Sequence, residues 1–171
     1  MSSAPIWAPG HEGAPEATIT SAKWRLATHH PLACREERRL NIFFDVDNTI
    51  ITWDVKLRPG VHEVFSRLRE DGHTIYLWSG MGPRWEVVKR FDLHEHVADC
   101  FWKPLHNHHA RHQELGIPLM PDYVIDDHVE IIHAYTIGSL VPEPMLPLDR
   151  DRVMWRVYDE IAAHVARSQQ E

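Results

Sequence analysis

Hydrophobic and polar positions along this chain alternate between short apolar runs and longer stretches of helical period. Leu40-Asn41-Ile42-Phe43-Phe44 is short and nearly continuous in its apolar character, which predicts a strand buried in a parallel sheet. Pro59 then opens a stretch with Val61, Val64, Phe65 and Leu68 at helical spacing, and Gly72 stands where such a helix would stop. Thr74 to Trp78 predicts a second strand, Pro83 to about Phe91 a second helix, and Val97 to Phe101 a third, shorter strand. Leu105 to Leu115 has helical character and ends at Gly116. Tyr123-Val124-Ile125 predicts a fourth strand, and Ala134 to Ile137 a fifth. Val141 to Pro147 contains three prolines and is expected to be extended. A final helix is expected over about 149–167, with Val153, Val157, Ile161 and Val165 as its apolar stripe. Asp149 and Asp151 near its start suit the helix dipole.

Strands that alternate with helices imply βαβ units, hence an α/β fold with a mainly parallel sheet covered on both faces. Residues 1–17, rich in Pro, Gly and Ala, are expected to be a flexible tail, and residues 18–171 a single domain. Its motif-bearing core would span about 40–140. The run from Arg35 to Arg39 is expected to be a solvated surface stretch.

Composition narrows this picture. The 171 residues suffice for one sizeable core, and 43% hydrophobic with 25% charged residues is ordinary for a globular chain. A net charge of -7 argues against broad nucleic-acid or membrane-surface binding. No apolar run approaches a membrane span, and the start of the chain lacks the basic and apolar regions of a secretory signal. Cys34 and Cys100 are the only cysteines. A disulfide framework is therefore not expected, a reducing, cytoplasmic compartment is the default, and both thiols are expected to be small apolar packers. Fourteen histidines are many for this length, and six lie between His94 and His112. They are expected to belong to an exposed polar region. His108 and His112 share a helical face, but spacing alone does not make a metal site.

Ligands of parallel α/β sheets bind outside the carboxyl ends of the strands. The chemistry-bearing residues fall there: Asp45-Val46-Asp47-Asn48-Thr49 after strand one, Ser79-Gly80 after strand two, Lys103-Pro104 after strand three, Asp126-Asp127 at the end of strand four. Three acidic tips, a hydroxyl and a lysine would converge at one sheet edge. Such a set suits phosphoryl transfer, in which an anionic ester and an attacking carboxylate repel unless positive charge lies between them. Mg²⁺ prefers oxygen ligands, and Asp45 and Asp126 could supply two. Lys103 could neutralise nucleophile and phosphate, and Ser79 with backbone N–H groups could bind phosphate oxygens. Asp47, two residues beyond Asp45, would lie on the same side of an extended chain and could act as general acid and base.

These four segments, in this order, resemble the four motifs of the haloacid dehalogenase superfamily: DxDxT at Asp45 to Thr49, the Ser/Thr motif at Ser79, the lysine motif at Lys103, and the acidic motif at Asp126-Asp127. The resemblance covers about Leu40 to Leu140. It implies a Rossmann-like three-layer sandwich with a Mg²⁺ site, an aspartyl-phosphate on Asp45, and Asp47 as general acid/base that also offers its backbone carbonyl to the metal. It further implies that Ser79, Gly80, Asn48 and Lys103 surround the phosphate, that Thr49 supports the loop, and that Asp126 and Asp127 serve the metal. Where members often carry Gly before the first acid of motif four, Ile125 stands here. The second acid would be Asp127 or Glu130, with Asp127 preferred. An acid at Asp47 favours a phosphatase over a dehalogenase.

The intervals between motifs are too short for a cap domain, so the resemblance implies a capless member, open to large substrates or lidded by a second copy of the chain. The expected partner is a phosphorylated small molecule or macromolecule. Ile50 to Leu57 would form a small flap, with Trp53 available to substrate. The competing expectation is a binding or scaffold module that keeps this fold without useful turnover.

Overall fold

A computed structural model describes residues 38–170. The expected tail at 1–17, most of the Arg35–Arg39 run and Cys34 lie outside the described residues. Five strands, β1 (Asn41–Asp45), β2 (Thr74–Ser79), β3 (Val97–Trp102), β4 (Tyr123–Asp126) and β5 (Gly138–Leu140), form one all-parallel sheet in the order β3-β2-β1-β4-β5. The helices are α1 (Val61–Glu70), α2 (Trp85–Arg90), α3 (His108–Glu114), α4 (Val129–Tyr135) and α5 (Val153–Ser168). This is the α/β architecture that the pattern predicts, with a parallel sheet covered on both faces, and the Rossmann-like three-layer arrangement without an inserted cap between β1 and β3 that the resemblance implies.

Successive strand residues face opposite sides of a sheet, and both sides here are apolar. Phe44, Leu77, Cys100 and Ile125 face a core built with Val64, Phe65 and Leu68 of α1, Val87 and Val88 of α2, and Met154, Val157 and Ile161 of α5. Phe43, Trp78, Phe101 and Val124 face a second core with Ile131 and Tyr135 of α4. Phe43 stacks on Tyr76 and Phe101 with ring centroids 4.9 Å and 6.0 Å away. A strand apolar on both faces thus becomes the centre of the sheet. No helix among the described residues is long and apolar enough to cross a membrane.

Three expectations change. Ala134 and Tyr135 are not in a strand but close α4, because Ile131 and Tyr135, one helical turn apart, both point into the core. Thr136, at φ 66°, ends that helix, and β5 starts only at Gly138. A Cβ there would lie 2.3 Å from the Val124 carbonyl oxygen, so this close strand approach requires glycine. The last helix begins at Val153 rather than near Asp149, because Asp151 stays extended and its carboxylate accepts the Val153 N–H at 2.9 Å. The third helix starts later than Leu105, at His108, after Asn107 turns the chain through φ 45°.

Candidate active site

The sheet order puts the candidate residues together. From β1 the chain steps outward to β2 and β3, then returns to β4 on the other side of β1, which makes the β1–β4 boundary a topological switch point. Phe44 pairs with Ile125, so the next residue on each strand, Asp45 and Asp126, emerge side by side. Trp78 pairs with Asp45 and Trp102 with Ser79, which brings Ser79 and Lys103 to the same edge. The Ser79 carbonyl accepts N–H groups from both Lys103, at 3.0 Å, and Gly82, at 3.1 Å, and so ties the β2 and β3 tips together.

Lys103 is the hub. Its ammonium, nearly buried, donates to Asp45 Oδ1 at 2.6 Å and to Asp126 Oδ2 at 3.0 Å. Burial works against its charge, but the two carboxylates outweigh it and raise the Lys103 pKa. Asp45 is 2% exposed, and burial, helped by Asp126 and Asp127 and opposed by Lys103, pushes its carboxyl up to about 7. Burial likewise raises Asp126 despite Lys103. One lysine therefore does not balance the buried acids. Asp45 Oδ2 is buried and accepts no hydrogen bond. An orphan carboxylate oxygen in an acidic, oxygen-rich corner is suited to a hard cation.

Asp126, Asp127 and His128 form the one grouping among the described residues whose ligand atoms, all within 4.8 Å of one another, could hold a metal ion. His128 Nδ1 donates to Asp127 Oδ1 at 2.7 Å, and this bond raises the His128 pKa. Glu130, the alternative second acid, is exposed on the first turn of α4, whereas the Asp127 side chain is buried beside Asp126.

Asp47 is placed differently from Asp45. Its side chain is 40% exposed, and its carboxylate accepts the Ser79 hydroxyl at 2.8 Å and both Nη1 contacts of Arg84, at 2.5 and 2.6 Å. Ser79 is thus engaged with Asp47 while its own Oγ accepts the Met81 N–H at 2.9 Å. Gly80 packs against Leu105, where a Cβ would sit 3.2 Å from Cδ2. Asn48 adopts φ 60° and reverses the chain after Asp47. Thr49 is buried, and its hydroxyl accepts and donates nothing. Its support of the loop runs instead through its carbonyl, which accepts Arg58 Nη1 at 3.1 Å.

The residues 50–57 form a short hairpin closed by the Ile51–Leu57 bridge, and Trp53 at its tip is 82% exposed. Among the described residues the histidine-rich stretch forms no metal-type cluster; His108, His109 and His112 gather instead around the Tyr135 ring. His108 Nδ1 donates to the Pro104 carbonyl, His109 Nε2 to the Ala134 carbonyl, and buried His112 lies between Leu119 and Tyr135. Burial pushes the Cys100 thiol up to about 12, which makes it a packing residue.

Sequence reasoning missed Arg84 and Arg58. Arg84 follows Ser79 by five residues, and only the turn at Gly82, φ 108°, brings it back over Asp47. Arg58 is 1% exposed and joins Thr49 to the Pro142 carbonyl and Asp151. Neither arginine carries a spacing signal. No family model and no curated protein matches the chain.

Proposed function

We propose that this chain is a Mg²⁺-dependent phosphomonoester hydrolase of the haloacid dehalogenase type, with Asp45 as nucleophile. The observation that carries the reading is the Lys103 bridge between Asp45 and Asp126, beside an Asp45 oxygen that has no partner. The donor set fits the cation: Asp45, Asp126 and Asp127 carboxylates and the Asp47 carbonyl would hold it. Bound there, Mg²⁺ would neutralise the acids and the phosphate together.

The chain's own residues supply the rest. Lys103 orients Asp45 and offsets its charge as it attacks phosphorus. The bond to the leaving oxygen breaks, and Asp47, once free of Arg84 and protonated from solvent, delivers that proton to the leaving oxygen. Asp47, now ionised, takes a proton from water, and the hydroxyl oxygen attacks the phosphorus. Asp45 is released and inorganic phosphate leaves. Ser79, Gly80 and Asn48 would bind the phosphate oxygens. Among the described residues no cap domain stands between β1 and β3.

Hydrolysis of p-nitrophenyl phosphate with Mg²⁺ tests the reading. The chain should turn over, EDTA should abolish turnover, and Asp45→Asn should fold with less than about a hundredth of the activity, a barrier increase of roughly 2.7 kcal/mol or more. A variant that keeps more than about a tenth removes Asp45 from this role. A chain that binds phosphate but never turns over would instead be the binding module.

A further inference from the structure

We propose that Arg84 is the receptor for the substrate phosphate, and that it holds Asp47 in a latch which phosphate binding opens. The inference rests on the phosphatase reading and names a residue outside the four motif segments.

The argument starts from charge. Four carboxylates, Asp45, Asp47, Asp126 and Asp127, gather at the sheet edge, and among the described residues only two basic side chains besides His128, Lys103 and Arg84, hydrogen-bond to any of them. Lys103 is buried with its ammonium held between Asp45 and Asp126. It is poorly placed to receive an anion from solvent. Arg84 and Asp47 stand at the more exposed side of the site, their side chains 16% and 40% exposed against 6% for Lys103. The Arg84 guanidinium has Nη1 on both oxygens of Asp47 and Nε on Glu86 at 2.5 Å, and Nη2 has no protein acceptor among the described residues.

A guanidinium presents a planar fork of donors that matches a phosphate as well as a carboxylate. An arriving phosphate dianion would meet the free Nη2 first and compete for Nη1. Asp47 and Ser79 are both engaged before substrate arrives, Asp47 with Arg84 and the Ser79 hydroxyl with Asp47. Transfer of Nη1 to the phosphate would release the Asp47 carboxylate, which can then take up a proton from solvent and face the leaving oxygen. The transfer of Nη1 itself changes no covalent bond. Arg84 sits just before α2, on the turn that Gly82 makes possible.

The experiment separates a receptor from a residue that merely positions Asp47. Orthophosphate affinity in Mg²⁺ is measured by calorimetry on the full chain, and KM for p-nitrophenyl phosphate is measured in parallel, for wild type, R84A, R84K, D47N and R84A/D47N. KM of the turnover or burst serves where orthophosphate is too weak to titrate. Loss of a charge-assisted fork should weaken phosphate binding about 10- to 100-fold in R84A. At least the same fold loss should separate R84A/D47N from D47N, since the contact is to phosphate and no ion-paired latch has to open there. R84K should recover part of the affinity, because the charge stays and the fork is lost. An R84A effect that vanishes once Asp47 is Asn, or an R84A affinity equal to wild type, overturns the proposal. If the wild-type chain neither hydrolyses phosphomonoesters nor binds orthophosphate, the phosphatase reading itself has failed and the receptor falls with it.

Discussion

Lys103→Met is the most informative single perturbation, because it removes one charge from between two buried ones. In the wild type the ammonium lies 2.6 Å from Asp45 Oδ1 and 3.0 Å from Asp126 Oδ2, with all three side chains nearly inaccessible. Methionine fills similar volume, so packing changes little, while the two carboxylates are left facing each other. Breaking a buried ion pair by removing one partner costs about 3–5 kcal/mol. For a chain of this size each kcal/mol lowers Tm by about 3 °C, so the metal-free variant should melt roughly 10–15 °C below wild type at pH 8.

The pH dependence has a definite sign. Asp45 already has its pKa raised to about 7 by burial, with Lys103 acting to lower it. In the variant that lowering is gone, so the folded-state pKa rises further. A carboxyl raised in the folded state stabilises the fold while protonated, below its unfolded value near 4, and this contribution is lost as pH rises through the folded pKa. The variant's deficit should therefore be largest at pH 8 and shrink as pH falls towards 5. Calorimetric melts of both proteins in EDTA across that range provide the check. A Tm within about 3 °C of wild type at pH 8, or a deficit that grows on acidification, would refute the picture of a lysine-bridged buried acid pair.

Other expectations follow from the same geometry. Asp47→Asn should damage turnover of alkyl phosphates, whose leaving oxygen needs a proton, far more than that of p-nitrophenyl phosphate; with the aryl ester a nitrophenol burst and a trapped phosphoenzyme should appear, and equal loss on both esters would remove Asp47 as the acid. Arg58→Leu should destabilise the chain by about 3–5 kcal/mol, read as a denaturation midpoint shift, because it strands buried Asp151 and two carbonyls; a change below about 1 kcal/mol would contradict the contacts drawn above. Gly138→Ala should lower stability by more than about 1 kcal/mol, since its Cβ would meet the Val124 carbonyl, and an unchanged midpoint would show that β5 can move aside.

The sheet and the acidic edge were legible because their determinants are local. Phe43-Phe44 and Leu77-Trp78 are apolar at adjacent positions, which only a strand covered on both faces tolerates, and each is followed at once by a polar residue. The switch from strand to polar tip therefore located Asp45, Ser79 and Lys103 before any coordinates. What escaped was set by distant contacts. Ala134-Tyr135 reads as β-prone until Ile131 is seen one turn back in the same core. Asp151 stops α5 short because a buried arginine from residue 58 reaches it. Arg84 reaches Asp47 only through the turn at Gly82, and a lone arginine in a loop announces nothing. The pattern could bring Asp45 and Asp126 to one edge, but not the orphaned oxygen that the crowding leaves behind.

The sheet order also fixes when the site can exist during synthesis. One side of β1 finds its partner in β2, the next strand made, but the other side pairs with Tyr123–Asp126, which emerges only after β3 and α3 have been translated. Until then the nascent chain carries an apolar strand with an open edge at what will become its centre, the kind of surface on which other chains pair. The apolar side chains of α5 arrive later still and close one face of the sheet. The acid pair is thus assembled across the long stretch between β1 and β4, and a ribosome stalled before Tyr123 would hold a polypeptide that has Asp45, lacks Asp126 and leaves one edge of β1 unpaired.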